Sequence, residues 1–249
     1  MQGVQEAQEL ADAASKALRV NGSETSLAFY TWFGESNASP KMVKKLLDQH
    51  YMTTHTHLLP PTIPTRITFR KRLRFAVHAG DPYPGLNSLN YACPSASEYE
   101  SRGSPLDICN TGSDVRAVGA VIIEHVTGEN GQKRVGPTTL FVCPSFFDDK
   151  PVTNAEMVRS YRRNIDTEVF SKGFYLLHEL QHMPKATSPD PFAIDVADPR
   201  DSRSACYSSR CCSILPNRLK ISNAQNFAFF ALDAVAFPQH AEPGSAPSS

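Results

Sequence analysis

Val4, Ala7, Leu10, Ala11, Ala14 and Leu18 recur at three- and four-residue steps, the spacing that lines one face of a helix, so residues 4–20 are predicted to be helical. Asn21-Gly22 stops that helix. The aromatic run Ala28–Gly34 (AFYTWFG) follows, with Trp32 and Phe33 as core residues. After Ser36–Pro40 a second helix runs through Met42, Val43, Leu46 and Leu47. His50, His55 and His57 come next without ligand-like spacing, and the expectation for them is a solvated loop. From Pro60 to Pro84 the prolines and the basic run Arg66–Arg74 suggest an irregular or edge-strand segment with exposed charge, followed by a polar loop from Cys93 to Cys109.

The period then changes. Val115–Val126 and Arg134–Phe147 are β-rich runs joined by Thr127-Gly128-Glu129-Asn130-Gly131, which reads as a hairpin carrying His125 as a structural residue. Helical patterning returns at Asn154–Arg163 and again at Ser171–Met183, where Phe174, Leu177 and Leu180 form an apolar stripe. Ser222-Asn223-Ala224-Gln225 reads as a capping box opening a last helix. That helix has Phe227, Phe230, Ala231 and Ala234 on one face with Phe229 and Leu232 nearly opposite, the mark of a buried helix. The Pro-, Ser- and Ala-rich tail from Gln239 is expected to be disordered. The fold class is therefore α+β, mostly helical with a small sheet or hairpin ahead of the 171–183 helix. A single domain over 1–238 is expected, with an N-terminal subdomain 1–170 holding the hairpin 115–147, a second part 171–238, and the tail 239–249.

Composition narrows the function classes. Apolar residues make up 41% of the 249, as in globular proteins, and 25 basic residues balance 25 acidic ones. Such a balance creates no field for nucleic acid or an anionic membrane, and no run of 18 apolar residues spans a bilayer. The charged, helical N-terminus is not a signal peptide. Six cysteines without a C-x-x-C pair resemble three disulfides more than a zinc cluster, and with the sequons at Asn21 and Asn37 they point to a secreted, extracellular protein, expected to be a monomer, whose leader is absent from this chain.

The chemistry concentrates in His178-Glu179-Leu180-Gln181-His182, a match to H-E-x-x-H. Residues four apart share a helix face, so both imidazoles can hold one Zn²⁺ while Glu179 is placed to act on a water. A catalytic zinc takes three protein ligands and leaves one position for water. Downstream of His182 the only histidine and glutamate are His240 and Glu242, both in the tail, and Lys185 and Ser188 stand where a metzincin needs Gly and His. Aspartate remains, and Asp190, Asp195, Asp198 and Asp201 all lie in one irregular loop.

His178-Glu179-x-x-His182, the Asp loop ahead of Tyr207, the stretch Asn223–Ala231 (NAQNFAFFA) and the strand end Phe141–Phe147 (FVCPSFF) together resemble the deuterolysin-like, or aspzincin, metalloendopeptidases common among secreted fungal proteins. The match covers roughly Leu140 to Ala236, and the N-terminal half resembles the family only in outline. The resemblance implies a zincin-like fold, His178 and His182 as zinc ligands, Glu179 as general base and Tyr207 as the residue that steadies the tetrahedral intermediate. It places the third ligand at Asp198, with Asp195 and Asp201 as alternates. Two positions depart from the family pattern: the Asp-to-Tyr spacing is stretched, and Gln225 stands where lysine-specific members carry Asp. The expected function is a secreted zinc endopeptidase acting on protein or peptide substrates. Its rivals are a catalytically inactive binding protein on the same scaffold and a chance H-E-x-x-H in a disulfide-stapled module.

Overall fold

The computed structural model describes residues 2–58, 90–92, 119–127, 133–143, 146, 152–184, 186–187 and 192–247. Residues 1–55 and 152–249 make one compact unit and residues 56–151 a second, which differs from the expected division at 170.

In the first unit, helix α1 (Gln2–Arg19) forms where the three-and-four spacing predicts it and buries Ala7, Leu10, Ala11, Ala14 and Leu18. Gly22 turns the chain at φ 83°, a left-handed conformation that favours glycine. Helix α2 (Leu27–Phe33) begins at Ser26, whose side chain accepts from the Phe29 amide. Helix α3 (Pro40–Leu46) starts at Ser39 in the same way, with Pro40 in the first turn where its missing N–H costs nothing. The chain then stays helical through a π turn (Leu47–Tyr51) into α4 (Met52–Leu58). His50, His55 and His57 thus lie on helical backbone and not in a solvated loop. His50 is buried, with Nδ1 3.0 Å from Gln181 Oε1 and its ring stacked on Phe227.

Helix α5 (Asn154–Arg163) has the predicted bounds and is opened by a Thr153–Glu156 capping box. Helix α6 (Lys172–Gln181) carries the H-E-x-x-H motif. The short helices α7 (Ser209–Ile214) and α8 (Asn217–Lys220) lead to α9 (Ala224–Ala236), buried at every position from Ala224 to Asp233. Its aromatic residues organise the core: Trp32 stacks on Phe229 at 5.0 Å, Phe33 meets Phe227 and Phe230, and Phe174 of α6 meets Phe229 edge-on. Each buried phenylalanine contributes on the order of 2 to 3 kcal/mol, so α9 is the hub to which α6 is fastened.

Two sequence expectations are corrected here. The capping box at α9 does not form, because the helix starts one residue too late for Ser222 and Gln225 to stand at its cap and third position. The N-cap is Asn223, fully buried, with Oδ1 accepting from the Val196 amide and Nδ2 donating to Asn226 Oδ1, and Gln225 donates to the Tyr207 carbonyl. The tail is ordered through a 3-10 turn (Pro238–Ala241) and beyond, since Ser245 Oγ accepts from the Leu27 amide, Gly244 N–H donates to Thr25 Oγ1, and Ala246 N–H donates to Thr25 O. Composition alone does not register such partners.

The second unit holds a three-stranded sheet in the order β1 (Asn90–Ala92), β3 (Lys133–Val142), β2 (Gly119–Thr127). β2 and β3 form the predicted antiparallel hairpin, with His125 opposite Val135. β1 runs parallel to β3, which is therefore central, and β2 lies at an edge among the described strands. The segments Pro60–Pro84 and Gly128–Gly131 lie outside the described residues. Cys143 is disulfide-bonded, Cys206 pairs with Cys211, and Cys212 is a free, buried thiol, so the six cysteines do not make the expected three pairs.

Candidate metal centre

Helix α6 is held at both ends. Ser171 Oγ accepts from the Phe174 amide and donates to Asn154 Oδ1, while Asn154 Nδ2 donates to the Glu6 carbonyl of α1. Along its length, Gly173 lets α1 approach so closely that a Cβ there would collide with Glu6 and Ala7. At the far end the Ala193 amide donates to Gln181 O, which folds the following loop back over the helix terminus. Gln181, the second unspecified position of the motif, is fully buried and bonds with His50, Thr54 and the Leu177 carbonyl.

His178 Nε2 and His182 Nε2 face each other at 3.2 Å. The loop returning from Ala193 brings Asp195 Oδ1 to 3.4 Å from the first and 3.5 Å from the second. Three donors of types that suit a divalent cation thus converge on one point. His182 Nδ1 lies 2.8 Å from the Ala193 carbonyl, and donating there leaves Nε2 unprotonated and available as a ligand. The Glu179 carboxylate lies within 4.8 Å of the two imidazole nitrogens, so His178, Glu179 and His182 form a group that could hold a metal ion.

Asp198, the expected third ligand, is elsewhere. Residues 196–206 form a β-hairpin, β4 (Ala197–Asp198) against β5 (Asp201–Ala205), and Asp198 sits at its tip, accepting from Arg200 N, Nε and Nη2. Asp201 accepts from Arg203 and Ser204 there. The alternate, Asp195, lies at the hairpin's base and takes the place expected of Asp198. Asp190 lies outside the described residues. Tyr207, at the other side of the base, donates its hydroxyl to Asp195 Oδ2 at 3.0 Å and packs its ring edge-on to His178.

Burial dominates the electrostatics of the cluster. It pushes the His178 imidazole down to about 4, helped by the charge of His182, so this ring is neutral at physiological pH. It pushes Glu179 up to about 7, the range suited to a group that takes and returns a proton. On Asp195 burial acts upward, but His182, His178 and Tyr207 outweigh it and hold the carboxyl below its ordinary value. Burial and the Asp195 charge hold the Tyr207 phenol protonated above its usual range. Asp198 is pushed down to about 2 by Arg200, which is a hairpin-tip ion pair and not a sign of chemistry.

Sequence reading gave Ala193, Gln181 and His50 no part in the site and did not foresee the contact of Gln225: the Ala193 carbonyl lies 2.8 Å from His182 Nδ1, and His50 bonds to Gln181. Gln225, at the first turn of α9, donates from Nε2 to the Tyr207 carbonyl. No helix among the described residues is long and apolar enough to cross a membrane. Comparison with family models, curated proteins and solved structures finds no match to this chain.

Proposed function

We propose that the chain is a metal-dependent hydrolase. More particularly, it reads as a zinc endopeptidase of the deuterolysin-like kind with a zincin-like fold, acting on protein or peptide substrates outside the cell. The observation that supports it is the triangle of His178 Nε2, His182 Nε2 and Asp195 Oδ1, with edges of 3.2, 3.4 and 3.5 Å. Ligands placed 2.0 to 2.1 Å from a tetrahedral zinc stand about 3.3 Å apart, so these donors need little rearrangement to hold one. Two imidazoles and a carboxylate, with no thiolate, are also the donor set of catalytic rather than structural zinc. The disulfide-bonded Cys206, Cys211 and Cys143 support an oxidising compartment.

A bound zinc supplies Lewis-acid polarisation of the scissile carbonyl and lowers the pKa of a water to about 7. Glu179, poised near neutrality by burial, accepts a proton from the attacking water and delivers it to the leaving amine. Tyr207 keeps its proton and lies beside His178; turning that hydroxyl from Asp195 Oδ2 to the substrate would let it stabilise the developing oxyanion, an interaction worth roughly 3 kcal/mol elsewhere. The test measures zinc stoichiometry and casein cleavage for the native protein and Glu179→Gln. Zinc retained with cleavage lost in the variant is expected, and cleavage by the variant overturns the mechanism. A native protein that holds one zinc yet cleaves nothing favours the binding-protein alternative.

A further inference from the structure

The sequons Asn21-Gly22-Ser23 and Asn37-Ala38-Ser39 both lie in the first unit, and the fold treats them oppositely. Asn21 is exposed on the turn that follows α1. None of the side-chain hydrogen bonds among the described residues involves it. The turn is held by its neighbours instead: the Ser23 amide donates to Val20 O at 3.1 Å, the Thr25 amide to Gly22 O at 3.0 Å, and Ser23 Oγ to Leu18 O at 3.2 Å. A substituent on Asn21 Nδ2 therefore disturbs no contact of the fold.

Asn37 is spent on the fold. Its Nδ2 donates to the Phe33 carbonyl at the end of α2 and to the Asn217 carbonyl at the start of α8, each at 2.7 Å. A side-chain amide has two N–H donors, so both are committed. A sugar on this nitrogen replaces one of them and cuts a tie between α2 and α8.

Order of synthesis exposes both sequons before the fold can choose. Helix α9 packs on α1 and α2 and is made long after residues 21 and 37, so the acceptor amides are reachable while the core is still open. Ser23 is buried once the chain folds, which places recognition of its sequon in that same interval.

We infer that Asn21 is the acceptor of an N-linked oligosaccharide and that Asn37 is not. The donor is an oligosaccharide carried on a lipid diphosphate, transferred by an enzyme of the export route. Asn21 Nδ2 bonds to C1 of the first sugar, the bond from C1 to the diphosphate oxygen breaks, the lipid diphosphate leaves, and Nδ2 gives up one proton. The bulky, hydrated sugar emerges one residue from Val20, an exposed apolar side chain, and solubilises that end of the unit. The inference rests on the reading above that the chain is extracellular, and makes no demand on zinc or cleavage.

The experiment secretes the full chain behind a cleavable leader from a eukaryotic host, removes N-glycans with peptide N-glycosidase in heavy-oxygen water, and maps the labelled aspartates by mass spectrometry. Glutamyl endopeptidase cuts after Glu24 and Glu35 and so places Asn21 and Asn37 in separate peptides. Label at Asn21 and none at Asn37 is expected, and Asn21→Gln should be secreted without a glycan. Urea unfolding of the unglycosylated chain adds a second readout: Asn37→Ala lowers the midpoint and Asn21→Gln leaves it unchanged. A secreted, folded chain with Asn21 bare, or with label at Asn37, overturns the inference and leaves the zinc reading intact. An Asn37→Ala midpoint equal to the native one overturns the exclusion of Asn37. A leader-bearing native chain that is retained and degraded in the cell overturns the extracellular reading itself.

Discussion

Tyr207 donates its hydroxyl to Asp195 at 3.0 Å across a sequence separation of 12 residues. The intervening chain is taken up by the β4–β5 hairpin, whose base is closed by the Cys206 amide donating to Val196 O at 2.7 Å. The hairpin thus restores between Asp195 and Tyr207 the closeness that a compact motif achieves with a short spacing, and carries Asp198 and Asp201 away on its tip. Asp195→Ala is expected to weaken zinc binding by more than about a hundredfold, beyond the loss typical of an outer-shell partner. Asp198→Ala is expected to leave it unchanged. Competition titration of the two variants decides between the aspartates, and the reverse pattern rules out Asp195.

Gly173 governs how closely α1 lies on α6. An added methyl group meets the backbone of Glu6 and Ala7, which cannot yield as a flexible side chain would. Gly173→Ala should therefore cost about 1 to 3 kcal/mol in urea unfolding, despite alanine's better helix propensity. A variant as stable as the native protein would show that the two helices can part without penalty.

Asp233 provides a pH-dependent term away from the metal centre. Burial raises its carboxyl above the ordinary value, and the Trp32 indole N–H and His240 offset this only in part. The native state then binds a proton that the unfolded chain has already released, so stability falls as pH rises from about 4 through the native value. Asp233→Asn keeps an acceptor for Trp32 and removes the charge. It should be more stable than the native protein at pH 7, with the gap closing as pH falls below about 4. Denaturation midpoints measured across that range check the sign.

Ser171 caps α6 and bonds to Asn154 at once. Ser171→Ala should cost about 1 kcal/mol, the usual loss for an N-cap. Guanidinium denaturation measures it, and an unchanged midpoint would mean that Asn154 or water takes over the Phe174 amide.

The elements that sequence reading located are those whose signal is local. The spacing of α1, the helical patterning of α5 and α6, the β-rich runs of β2 and β3 and the all-round apolar surface of α9 each reside in one short stretch. His178, Glu179 and His182 are brought together for the same reason, since one helix turn suffices. The carboxylate that meets the two imidazoles was not legible, because Asp195 and Asp198 look alike until Arg200 is seen to satisfy the latter and the Ala193 turn to deliver the former. His50 was misread because its partners, Gln181 and Phe227, are far away in sequence. The tail was misread likewise, since it is held by Thr25, Leu27 and Asp233, all outside its own stretch.

Those tail contacts bear on when the first unit can assemble as the chain is synthesised. Ser245 satisfies the Leu27 amide at the start of α2, and α9 fills the space between α1, α2 and α6, so residues 2–55 emerge long before the segments that complete them. Their apolar faces must wait through residues 56–223 for α9 and the tail, a long-range closure that makes assembly late and slow compared with a locally wired helical bundle.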